Sequence, residues 1–160
     1  MSLVALFGLL LLGLTTLIHY EVLRVLSIGL PLLRVPARAK LIVVIFATFF
    51  AHFAEIALYA FAITMLVRYP GLGTLGDSRH FSFNVALYFS AETFSSLGYG
   101  DVVPGGALRM LAGGEALNGL LLIGWSASYT YIAMERFWNG SSPRQGDATA
   151  AQTRTERRGQ

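Results

Sequence analysis

The chain has 160 residues, 54% of them hydrophobic and 13% charged, with a mean hydropathy of +0.58. A soluble domain of this size cannot bury so much apolar surface, which excludes an ordinary soluble enzyme at the outset. Cysteine is absent, which removes disulfides, thiolate metal sites and a Cys nucleophile, and the net charge of +3 comes from basic residues that bracket apolar runs, giving no footing for nucleic acid.

No charge occurs from Met1 to Tyr20. From Lys40 to Arg68 the run is apolar except for His52, Glu55 and a few hydroxyls, and between Arg109 and Glu135 the one charge is Glu115. About 20 helical residues at about 1.5 Å each cross a bilayer core. Three spanning helices are therefore predicted, near 3–20, 41–67 and 108–135. The first run lacks a basic start, and the first Ala-x-Ala pattern after it, Ala37-Arg38-Ala39, lies far beyond the apolar stretch, so it reads as a retained span.

Residues 21–40 form the expected linker, with Glu21 and Arg24 set among Val22, Leu23, Val25, Leu26, Ile28, Leu30, Leu32 and Leu33. This segment reads as an interfacial helix stopping near Pro31 or as a loose apolar connector. Residues 138–160 are polar and aperiodic and read as a disordered tail, with Phe137 and Trp138 marking the membrane interface. Nine of the 12 Lys and Arg fall in the linker or from Arg136 onward, against Arg68, Arg79 and Arg109 between the second and third spans. The expected topology is a multi-pass protein of the cell membrane, N-terminus outside and C-terminus cytoplasmic.

The segment between the second and third spans is more than a loop. It opens on a turn-rich stretch, Arg68 to Asp77, whose Gly71-Leu72-Gly73-Thr74-Leu75-Gly76 follows a membrane helix and not a strand, and so reads as turns and not a dinucleotide loop. Phe83 to Phe94 is apolar and too short to cross a bilayer. Ser95-Ser96-Leu97-Gly98-Tyr99-Gly100-Asp101 and Pro104-Gly105-Gly106 follow. A short apolar helix and a glycine-bearing strand between two spans read as a re-entrant loop, because non-helical backbone survives at membrane depth only where it is buried in protein or lines water.

Thr93-Phe94-Ser95-Ser96-Leu97-Gly98-Tyr99-Gly100-Asp101 resembles the signature of potassium channels, usually Thr-Val-Gly-Tyr-Gly-Asp, and Ser90-Ala91-Glu92-Thr93 resembles the pore helix of bacterial two-helix potassium channels. The likeness covers residues 41–137, a helix–pore loop–helix unit, with Ser96 in place of the usual Thr and Leu97 in place of the usual Val. It implies an all-α transmembrane fold, assembled as a four-fold homotetramer in a lipid bilayer. The implied activity is passive K⁺ conduction, with no enzyme chemistry, no cofactor, no nucleic-acid partner and no small-molecule substrate. The physics of such a filter fits the residue types. A dehydrated ion needs oxygens in place of water, and backbone carbonyls of Ser96, Leu97, Gly98 and Tyr99 supply them if all point inward. Consecutive inward carbonyls need some positive φ, which Gly98 and Gly100 adopt freely. Tyr99 is then expected to point away from the ion and brace the strand.

The same resemblance implies that Glu92 and Thr93 support the filter, that Glu92 shares a proton with Asp101, where a carboxylate bonded to backbone amides is the other reading, and that a hinge glycine lies near Gly119, where close packing is the other reading. Ile123, Ser126, Ala127 and Thr130 are expected on the inner pore wall by spacing. His52, Glu55, Glu115 and Asn118 are expected to form one buried polar network, a titrating group or interhelical hydrogen-bond glue. Two other outcomes stay open: a weakly selective monovalent cation channel, and a non-conducting accessory subunit of the same fold.

Overall fold

The computed structural model describes residues 2–76 and 81–139, without the side chains of Ser2 and of 137–139. Residues 140–160, which hold nearly all of the expected tail, and the side chains of Phe137 and Trp138 lie outside the described residues. The chain forms helices α1 (Ser2–Leu32), α2 (Ala37–Val67), α3 (Phe83–Phe94) and α4 (Leu108–Asn139). Two-residue strands β1 (Thr74–Leu75) and β2 (Pro104–Gly105) pair antiparallel, Thr74 opposite Gly105 and Leu75 opposite Pro104.

Helix α1 runs well past the end expected near residue 20 and absorbs most of the expected linker. Pro31 does not halt it early, because a proline in the last turn forfeits few hydrogen bonds, and the helix ends one residue later at Leu32. The added turns are held by packing: Leu23, Leu26 and Leu30 bury against Val44 of α2 and Ala133 of α4. The exposed Glu21–Arg24 pair, 3.1 Å apart, adds little. Residues 33–36 turn the chain, and the Pro36 carbonyl receives the amides of Ala39 and Lys40 as α2 begins.

Such a short connection makes α1 and α2 antiparallel neighbours. A larger core joins Val4 and Leu11 of α1 to Tyr59, Ile63 and Leu66 of α2, Phe89 and Phe94 of α3, and Leu111 and Leu122 of α4. The start of α1 therefore lies beside the start of α4, and the two run parallel, with α2 opposed to both. Among the described residues, two helices are long and apolar enough to cross a membrane, Leu3–Leu32 and Ala37–Val67. The third expected span, α4, is fully helical but less apolar, because Glu115, Asn118, two serines and four glycines interrupt it.

Candidate functional site

Ser82 starts α3, its hydroxyl accepting the Val85 amide at 3.4 Å. The helix then descends between α2 and α4. Its last residue, Phe94, reaches the ring of His52, midway along α2, with ring centroids 5.7 Å apart. The Phe94 backbone meets Gly119, where a Cβ on α4 would overlap the Phe94 carbonyl. Gly119 lies eleven residues into α4, about 16 Å from its start at about 1.5 Å per residue, or about half the thickness of a bilayer core. From there the chain returns to the end it came from, where β2 pairs with β1 and the Gly76 amide donates to the Val103 carbonyl at 3.1 Å. The dip and return of a re-entrant loop are thus present in the single chain.

The turning point is built as a helix stop. The Leu97 amide donates to the Glu92 carbonyl at 2.9 Å and the Ser96 amide to the Thr93 carbonyl at 3.0 Å, with Ser96 itself at φ +57°. This is the paired-bond C-terminal motif that usually places glycine at the left-handed position. Gly98 at φ +58° and Gly100 at +80° continue an alternation begun at Ser96. Gly98 and Gly100 take positive φ as expected, and the helix stop, unseen in the sequence, extends it to a serine.

The ribbon 95–101 is exposed along its length on the single chain, Leu97 by 59% and Tyr99 by 70%. Tyr99 therefore does not brace the strand against its own α3. A Cβ at Gly98 or Gly100 would meet nothing within 4 Å. The chain supplies the ribbon and its attachment at both ends, and leaves its long side open.

Glu92 is buried, and its Oε1 has no hydrogen-bond partner. The expected link to Asp101 runs through a residue the sequence reading missed. The Tyr88 hydroxyl, one helical turn before Glu92, donates to Asp101 Oδ1 at 3.3 Å. The neighbouring carboxylates hold the Tyr88 phenol above its ordinary titration range, Glu92 first and Asp101 after partial desolvation. Asp101 Oδ1 also accepts the Val102 amide at 3.0 Å.

The polar network expected from His52, Glu55, Glu115 and Asn118 divides into separate knots. Asn118 donates to Thr15 Oγ1 at 2.7 Å and to the Tyr59 hydroxyl at 3.2 Å, tying α1, α2 and α4 together. Glu115 accepts from Ser90 of α3, whose hydroxyl also reaches the Ile56 carbonyl of α2 at 2.9 Å. His52 and Glu55 instead join His19 of α1 and Ser126 of α4. Glu55 Oε1 lies 3.0 Å from His19 Nδ1 and its Oε2 3.0 Å from His52 Nδ1, while Ser126 Oγ lies 3.1 and 3.0 Å from the two Nε2 atoms. Ser126 therefore faces α1 and α2 and is withdrawn from the expected pore wall; Ile123 and Ala127 remain exposed on the single chain. Gly119 takes its packing role, giving the end of α3 the room a side chain would fill.

Two apolar membrane-length helices, and a short helix that dips between α2 and α4 before an extended ribbon returns, define a membrane protein of the pore-loop class. Residues 39–136 match the ion channel family, well over half of the chain, and the protein belongs to that family. The family is one of ion channels and not of enzymes. No curated protein and no solved structure matches the chain significantly.

Proposed function

We propose that the chain is one subunit of a homotetrameric potassium channel, in which four copies of the ribbon Ser96–Asp101 surround a common axis. Carbonyl oxygens of Ser96, Leu97, Gly98 and Tyr99 replace the hydration shell of K⁺, the transported ion, and no cofactor takes part. Helix α4 is the third span and faces water on one side, which accounts for its lower hydropathy. The protein sits in the cell membrane with its N-terminus outside and its C-terminus in the cytoplasm.

The observation that carries this reading is the run of positive φ at residues 96, 98 and 100, hung from a helix end at mid-depth. Alternating left-handed residues turn successive carbonyls to one side of a ribbon, which a plain pleated strand does not do. The exposed flank of the ribbon is the surface that copies would close, since extended backbone inside a membrane needs cover from protein or water. Glu92, Thr93, Tyr88 and Asp101 hold its two ends.

The test is K⁺ flux from liposomes holding the purified protein, with Gly98→Ala beside it. Flux is expected from the wild type and is expected to fall to background in the variant, because Ala at φ +58° is strained. Reversal potentials under opposed K⁺ and Na⁺ gradients separate strict selectivity from weak monovalent selectivity, which Leu97 and Ser96 in place of the usual pair favour. A protein that folds and yields no flux is an accessory subunit.

A further inference from the structure

The four groups His19, Glu55, His52 and Ser126 close a cycle. The contacts run from Glu55 Oε1 to His19 Nδ1, from His19 Nε2 to Ser126 Oγ, on to His52 Nε2, and from His52 Nδ1 back to Glu55 Oε2. Each of the four contacts needs one hydrogen between two heavy atoms. A neutral carboxylic acid, two neutral imidazoles and one hydroxyl carry four. The ring is therefore filled, every link made, when its net charge is zero, whichever way the protons are shared between Glu55 and the histidines. One proton fewer leaves two lone pairs facing each other and a buried negative charge. One proton more makes both imidazoles cationic against one carboxylate, forces the Ser126 hydrogen out of the ring, and sets two like charges in rings stacked 5.0 Å apart.

We propose that this ring is a proton-operated latch that fastens α1 to the base of the filter, and that acid opens it. The proposal rests on the channel reading above. His19 belongs to α1, outside the matched channel unit, and stacks on His52; His52 in turn supports Phe94, the last residue of the pore helix. A fifth proton drives the two rings apart, frees α1 from α2 and removes the support beneath the filter. The charges nearest the ring along α1, Glu21 and Arg24, are exposed and paired with each other at 3.1 Å. Residues 1–23, 41–67, 81–94 and 110–135 contain no Lys or Arg. The other titratable groups nearest the ring along the packed elements are Tyr20 and Glu21 on α1, Tyr59 one turn beyond Glu55 on α2, Glu92 and Tyr88 on α3, and on α4 Tyr129 one turn from Ser126 and Glu115 three turns from it. Tyr59 lies within electrostatic reach of both Glu55 and Glu115.

A divalent metal is the competing occupant, since His19, His52 and Glu55 each present a ligand atom within 4.8 Å of the others. The rings argue against it. Every imidazole nitrogen already engages Glu55 or Ser126, so an ion would have to displace one of them, and three ligands fall short of the four of a closed zinc site.

The test uses the full chain with His80→Gln as background, so that His19 and His52 are the remaining histidines. Liposome K⁺ flux is expected to fall about tenfold between about pH 7.5 and about pH 5. His19→Gln and His19→Phe are expected to keep the flux at about pH 7.5 and to lose the acid response, because one imidazolium beside Glu55 is a neutral pair that Ser126 still anchors. Flux that is unchanged or raised by acid, or an acid response that survives in both variants, overturns the latch. Zinc held by the purified parent at one ion per chain and lost in His19→Gln overturns it in favour of a metal site. A protein that never conducts refutes the channel reading and the coupling with it. Nitrogen-15 imidazole spectra then decide whether His19 and His52 still gain a proton together, and independent titration of the two removes the ring as well.

Discussion

At the scale of single residues, the turning point after α3 is a crowded place built from small groups. Gly119 lies where α4 crosses the end of α3, and a methyl group there would occupy the space of the Phe94 carbonyl. Gly119→Ala is expected to destabilise the folded protein by about 1–3 kcal/mol through overpacking. Thermal unfolding in detergent measures this, and a hinge role alone would leave the midpoint unmoved. Ser96 is the costlier choice at a left-handed position, and its place in the helix stop explains why the cost is borne: the bonds to Glu92 and Thr93 fix the conformation around it. Tyr88 is the residue that connects the pore helix to Asp101. Tyr88→Phe is expected to leave the fold intact and to quicken the decay of K⁺ flux under sustained gradient, read by stopped-flow from liposomes. An unchanged decay would place the control of the outer end elsewhere.

At the scale of elements, α1 is attached to the channel unit by an apolar seam in which buried polar contacts are set. Thr15 receives the Asn118 amide at 2.7 Å and passes its own hydrogen to the Leu11 carbonyl at 2.8 Å. Thr15→Val keeps the shape and leaves a buried donor with one partner fewer, so a loss of about 1–3 kcal/mol is expected in the same unfolding measurement. The short helix α3 was legible in the sequence, because Phe83 to Phe94 is an apolar run too short to span, followed by a glycine-bearing stretch; its cap at Ser82 and its stop at Ser96 were not. The extent of α1 was not. Its last turns hold by contact with Val44 and Ala133, which are distant in sequence, and a proline there looked like a stop. His19 was missed for a similar reason: one histidine in an apolar run carries no local signal, and its partner Glu55 lies 36 residues away. Of the network drawn from spacing, the fold keeps the His52–Glu55 pair on α2 and sends the other links across helices, from Glu115 to Ser90 and from Asn118 to Thr15 and Tyr59. Ser126 shows the same limit, since spacing alone placed it on the wrong face of α4.

At the scale of the whole molecule, one chain leaves a ribbon whose backbone has an open flank. Native mass spectrometry or cross-linking in mild detergent is expected to find four copies of the 17.4 kDa chain, and a stable monomer would contradict the arrangement. The exposed flank also has a genetic corollary. Every particle would draw one strand of its filter from each copy, so a single Gly98→Ala copy spoils the ring it joins. When mutant and wild type are co-expressed in equal amounts and mix at random, only about one particle in sixteen is wholly wild type. The mutation should therefore behave as a dominant one, silencing transport out of proportion to its dose.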